Sequence, residues 1–285
     1  MPRNDASLLR RHRGIAIIAC ATLLGVALPT IGADAPASPE PAAVPDASAL
    51  VVPPGGKFGS STTRLDRGEV VEGAGSHLRT VMDEAYDARE RGDAAEAVRL
   101  YGQVAAWCDQ QRRDHKGPVL ATSRIEDREV LAARMTPGSD IVWVDMACAI
   151  SHQQIAFLFA DRGDGQTALA ELTLATTYAP LWAEAYTERG YVLNQLGRSG
   201  DALGSYLTAV ELARTYPSSR YVLPLALRGL GFTQIELGEL DEAEKLFKES
   251  LELDPGNKVA ENELLYIEQV RAERSSAGAP ENPKP

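Results

Sequence analysis

Four side chains have the types that could act together: Cys108, His115, Cys148 and His152. Cys148 and His152 stand four positions apart, so a helix would place them on one face as a usable metal pair. Cys108 and His115 have six residues between them, which is not a zinc spacing. A disulfide between Cys108 and Cys148 is the stronger functional reading, since it suits a chain exported to an oxidising compartment. It would close a loop of 40 residues and contribute about 4 kcal/mol in the chain-entropy picture. The alternative is a pair of buried free thiols. Neither metal nor cofactor is expected.

Catalytic signatures are missing from the sequence. There is no phosphate-binding loop, no G-x-S-x-G, no H-E-x-x-H and no dinucleotide fingerprint. His152-Gln153-Gln154 lacks the glutamate and second histidine of a zinc protease. Acidic pairs such as Glu242/Glu244 fall on solvated helix faces. The chain is expected to be non-enzymatic, with no catalytic residues.

The totals narrow the class further. The chain has 285 residues, 44% hydrophobic and 24% charged, enough for a packed core. Aromatics are only 6%, and alanine is abundant, which favours close-packed helices. A net charge of −11 argues against nucleic acid as a partner, because phosphate contacts need a basic face. Near the start, Arg10, Arg11 and Arg13 precede an apolar run from Gly14 to Leu28, and small residues follow. That is the layout of an export signal, cut between Gly32 and Ala35. Two other readings stay open: an uncleaved anchor over residues 14–28, and a lipid attachment site at Ile17-Ile18-Ala19-Cys20.

The elements that must position any site emerge from self-similarity. Gly92/Ala97, Gly163/Ala168, Gly197/Ala202 and Gly238/Ala243 share one spacing. Twelve residues before each alanine is another tiny residue (Ala85, Ala156, Gly190, Gly231), and four after it a bulky one (Tyr101, Leu172, Tyr206, Phe247). Ala168 and Ala202 are 34 residues apart. Two helices cross closely when small residues lie at the contact, and a glycine between them permits the turn. Pro180 and Pro255 close second helices.

This pattern resembles the tetratricopeptide repeat (TPR), a 34-residue unit of two antiparallel helices. The fit is best through Leu227, Leu230, Gly231, Gly238, Leu240, Ala243, Phe247, Leu251 and Pro255. The resemblance implies an all-α TPR superhelical solenoid of the bacterial cell envelope. Residues 1–33 read as a signal peptide, 34–77 as a Pro/Ala/Gly-rich flexible linker and 78–111 as a first, weaker repeat. Residues 112–148 read as an insertion, 149–182, 183–223 and 224–257 as further repeats, 258–274 as a capping helix and 275–285 as a disordered tail. In the insertion, Ser123-Arg124-Ile125-Glu126 suggests a capping box opening a helix to Arg134. Ile141, Val144, Cys148, Ile155 and Phe159 continue at helical spacing, so the next helix is expected to start near Asp140. In the cap, Leu264, Leu265, Ile267 and Val270 are expected to face the array.

In TPR proteins the first helix of each hairpin lines a concave groove that holds a peptide. By that resemblance the groove would present Tyr86, Phe157, Tyr191 and Phe232, aromatic in every repeat. Met82, Gln153, Thr187 and Arg228 stand four residues earlier, and Arg89, Ala160, Asn194 and Ile235 three later. Domains that clamp a C-terminal carboxylate place Asn, Lys and Arg at such slots, and here the Asn slots are aromatic. The alternative is that the rings pack within the superhelix. The implied role is a periplasmic scaffold or adaptor whose partners are protein or peptide segments of the envelope, with the membrane touched only through an uncleaved N-terminus. The alternative role is a self-associating or anchored envelope assembly protein.

Overall fold

A computed structural model describes residues 73–277, and the expectations placed on residues 1–72 and 278–285 lie outside them. Four helical hairpins follow one another. They are α1 (Arg79–Glu90) with α2 (Ala94–Asp114), and α4 (Ala147–Asp161) with α5 (Gly165–Tyr178). Next come α6 (Ala183–Gln195) with α7 (Ser199–Thr215), and α8 (Leu223–Leu237) with α9 (Leu240–Leu253). Helix α10 (Lys258–Ala277) closes the array. Between the first two hairpins lie β1 (Val119–Ala121), α3 (Ile125–Arg134) and β2 (Val142–Val144). Among the described residues no helix is long and apolar enough to cross a membrane.

The hairpins turn because their glycines take a left-handed backbone: φ is 78° at Gly92, 82° at Gly163, 73° at Gly197 and 87° at Gly238. Asp93 and Asp164 accept from the backbone N–H of Glu96 and Thr167 and so start α2 and α5. Small residues then admit a ring. A Cβ placed on Gly231 would lie 3.0 Å from the Phe247 ring, so it is Phe247, rather than Ala243, that Gly231 accommodates. Ala97, Ala168, Ala202 and Ala243 are all fully buried.

The start of the fold precedes the expected end of the linker. Ala74 donates to the Trp143 carbonyl (2.8 Å) and accepts from Asp145 N–H (2.9 Å), alongside β2. A 3-10 turn, Ser76–Leu78, then leads into α1.

The insertion departs from helical expectation. Val142, Trp143 and Val144 form β2, which pairs in parallel with β1, Val119 opposite Val142. Helix α4 therefore begins at Ala147 and not near Asp140. Two β-branched residues flanking an aromatic favour a strand once a partner is present. Asp145 ends the strand: its Oδ1 accepts from Ala147 N–H (2.9 Å), and its Oδ2 accepts from Arg79 Nε (2.9 Å). The expected capping box does not form, since Arg124 is the N-cap of α3 and no side chain caps it. The insertion packs beside hairpins 2 and 3, where Arg134 Nη2 donates to the Tyr216 hydroxyl (2.9 Å).

The cap faces the array through three of the four residues expected, and Leu265 is the exception. Ala260 and Ile267 are fully buried, with Leu264 and Val270 packed beside them, while Leu265 is 63% exposed. Leu265 sits one step, about 100°, around the helix from Leu264. Arg271 on α10 forms ion pairs with Asp241 and Glu244 of α9.

Candidate functional site

The first helices of the hairpins form a continuous layer, tied edge to edge by side-chain hydrogen bonds. Arg89 Nη1 on α1 donates to Gln154 Oε1 on α4 (2.5 Å). Gln153 Nε2 on α4 donates to Glu188 Oε1 on α6 (2.9 Å). Asn194 Nδ2 on α6 donates to Thr233 Oγ1 on α8 (2.9 Å).

On this layer Tyr86 is half-buried, its ring edge-on to Tyr101 at 5.7 Å. Burial, and after it the nearby Glu184 carboxylate, raise the Tyr86 phenol above its ordinary value against the opposing pull of Arg89. Arg89 lies over both Tyr86 (5.5 Å) and Phe157 (5.8 Å), a cation held between two rings. Phe157 is 44% exposed and Tyr191 41% exposed, high values for rings in a well-packed array. Phe232 is partly buried against the C-terminal cluster of Ile235, Phe247 and Ile267.

Not every sequence-derived position reaches the open face. Met82 and Thr187 are buried, and the Thr187 hydroxyl donates to its own helix at Ala183 C=O (3.0 Å). Arg228 turns into its hairpin, where Nη1 donates to Asp254 Oδ2 (2.9 Å) and Ser250 Oγ (3.1 Å). Asn194 is engaged with Thr233, and its Oδ1 is buried without a partner. Gln153 is buried, yet its amide reaches the layer's carboxylates. Of the sequence-derived positions, Tyr86, Arg89, Phe157 and Tyr191 keep part of their surface open on this layer, with Gln153 buried among them.

Sequence reasoning passed over Glu184, Glu188 and Tyr221. Glu188 is partly buried, and burial, then the Glu184 charge, push its carboxyl up to about 8 despite the Gln153 hydrogen bond. Gln153 also approaches Glu184 Oε1 (3.4 Å), while the Tyr221 hydroxyl donates to Glu184 Oε2 (2.7 Å). Tyr221 comes from the 3-10 turn Pro217–Val222 and is 67% exposed. The periodic signal was present, because Glu184, Glu188 and Tyr191 are one and two turns apart on α6.

A second cluster surrounds the cysteines. Cys108 of α2 and Cys148 of α4 are joined in a disulfide, their Cα atoms 5.6 Å apart. One turn along α4, His152 is buried with Nδ1 2.7 Å from Glu171 Oε2 and Nε2 3.7 Å from Asp109 Oδ1. Its ring stacks on Tyr178 at 5.4 Å, and the Tyr178 hydroxyl donates to Asp109 Oδ1 (2.8 Å). Burial disfavours the imidazolium, but Asp109 and Glu171 outweigh it and hold the His152 pKa above its ordinary value. Burial likewise opposes ionisation of Asp109, and His152 outweighs it, so that carboxyl lies below its ordinary range. The cluster ties α2, α4 and α5 together. His115 is exposed at the end of α2. Among the described residues no group of His, Cys, Asp and Glu could hold a metal ion.

Residues 183–255 match the tetratricopeptide repeat family model. That span holds hairpins 3 and 4, and the architecture is an all-α TPR solenoid with a C-terminal capping helix. No curated protein matches the chain. Among solved structures it is similar to the first TPR of Spaghetti (RPAP3) bound to an HSP90 peptide, at 27% identity over 44% of this chain and 93% of that one, TM-score 0.40. It is also similar to MamA, at 18% identity over 69% of this chain and 89% of that one, TM-score 0.45. MamA 41-end from Desulfovibrio magneticus RS-1 is 15% identical over 71% of this chain and 90% of that one, TM-score 0.48.

Proposed function

We propose that this chain is a non-enzymatic interaction scaffold that holds a segment of another protein on the layer of its first helices. The observation that carries this is the outward placement of Phe157 and Tyr191, 44% and 41% exposed on successive first helices. Buried aromatics dominate contact energies, so exposed rings on a rigid layer are anchors awaiting cover. Phe157→Ala with Tyr191→Ala tests it: capture of partners from an envelope extract is lost while the helical circular dichroism is kept. Undiminished capture would remove the layer as the site.

The compartment we propose is the bacterial periplasm, with partners among other envelope proteins. The signal-like N-terminal run and the Cys108–Cys148 disulfide support it, since disulfides persist in oxidising compartments. Anchoring to the inner membrane through residues 14–28 is the alternative, and N-terminal sequencing of the exported protein separates the two.

Self-association is a second reading with its own observation. Leu265 and Val259 on the capping helix are 63% and 42% exposed, where a solenoid end is ordinarily polar. Light scattering that gives a monomer at high concentration rules it out.

A further inference from the structure

The rings explain why the layer attracts an occupant. Its charges say what kind. Glu184 and Glu188 stand one turn apart on α6, where ionising both together is opposed, and no ion pair among the described residues includes either. Asp145 and Asp254, by contrast, each have a cation, Arg79 and Arg228. The groups facing the two glutamates are the Gln153 amide from α4, the Tyr221 hydroxyl and, from α1, Tyr86. All are neutral. The nearby cation of the layer, Arg89, is already engaged with Gln154 and two rings. A carboxylate is costly to hold in such a place without a cation.

Resting on the groove reading above, we propose that the protein segment held on this layer carries a lysine or arginine side chain that seats against Glu184 and Glu188, with apolar residues beside it covering Phe157 and Tyr191. The cation pairs with the Glu184 carboxylate and draws off the proton that Glu188 holds beside it, and the tyrosine faces add attraction for it. An acidic segment or a free C-terminal carboxylate meets the Glu184 charge and finds Arg89 already engaged. The occupant's charge is therefore opposite to that of a carboxylate-clamp ligand. Burial beside Glu184 pushes the Glu188 carboxyl up to about 8, so a seated cation also displaces a proton at neutral pH.

The test is a random dodecapeptide library displayed on phage and selected on three forms of the full chain: wild type, Glu184→Gln with Glu188→Gln, and Phe157→Ala with Tyr191→Ala. The glutamine form keeps the side-chain shapes, and circular dichroism checks that each form is folded. Wild type is expected to enrich peptides with Lys or Arg at a fixed spacing from bulky apolar residues. Synthesised copies should bind the glutamine form at least about tenfold more weakly. Enriched peptides with no fixed basic position, or with equal affinity for the glutamine form, would overturn the cation inference and leave the groove standing. If wild type enriches nothing beyond the Phe157→Ala/Tyr191→Ala form, the groove reading fails and this inference with it.

Discussion

Gly229 of α8 lies against the ring of Tyr206 on α7: a Cβ built on that glycine would be 2.1 Å from Tyr206 Cε1. The same ring is 2.7 Å from the position a Cβ would take on Gly190 in its own hairpin. Tyr206 thus fills the space between hairpins 3 and 4, and it fits because both neighbours lack a side chain. Gly229→Ala is expected to cost roughly 1–3 kcal/mol by overpacking. Gly204→Ala, on the exposed face of α7 with open space at its Cβ, is expected to add about 0.5–1 kcal/mol through helix propensity. Urea titrations of both variants read the contrast, and the same sign for both would remove the packing argument.

The disulfide crosses from hairpin 1 to hairpin 2 around the whole insertion, a separation of 40 residues. Reduction is expected to lower stability by about 4 kcal/mol. In a quasi-linear array the loss should concentrate in the hairpins it joins. Hydrogen exchange with and without reductant should therefore show faster exchange in α1, α2 and the insertion than in α8 and α9. Uniform acceleration along the chain would contradict the local picture.

The hairpins were legible because their signal is local: a glycine, an alanine and a bulky residue at fixed spacing, repeated. Within the insertion the helix ending at Arg134 was legible and β2 was not, because β2 exists through pairing with Val119–Ala121 and Ala74, residues far away in sequence. Helical spacing through Ile141 and Val144 could not compete with that partner. The first helices were legible as elements, and the partners of their side chains were not. Periodicity placed Arg228 and Asn194 on first helices, but long side chains choose partners by reach, and these two chose Asp254 and Thr233. Glu188 stood one position beyond a residue that had been singled out, Thr187, and only packing shows that it is the one next to Gln153.

The His152 cluster makes stability depend on pH in a window set by two opposite shifts. The folded pKa of His152 is raised, so its contribution is full below the unfolded value of about 6.5 and is lost as pH rises through the folded value. Asp109 is depressed, so its contribution is present above about 3.9 and lost as pH falls through its folded value. The cluster is expected to stabilise most between about pH 4 and 6.5. The melting-temperature difference between wild type and His152→Phe should be largest there and should shrink at higher pH. A difference that does not vary with pH would show that His152 acts by stacking on Tyr178 alone.

Glu188 moves stability the other way from an ordinary carboxylate. Its folded pKa is about 8, well above the unfolded value, so the protonated form is the one folding favours. Its contribution is full below about pH 4.3 and is lost as pH rises towards 8, after which the ionised carboxylate opposes folding at a constant level. Glu188→Gln removes that decline, since the amide keeps the shape and carries no charge. The variant is expected to match wild type near pH 4 and to exceed it in melting temperature at pH 8, by a margin that narrows when Glu184 is also made Gln. Parallel melting curves for wild type and Glu188→Gln across this range would show that Glu188 titrates as it does in the unfolded chain, and burial beside Glu184 would not be what sets its protonation.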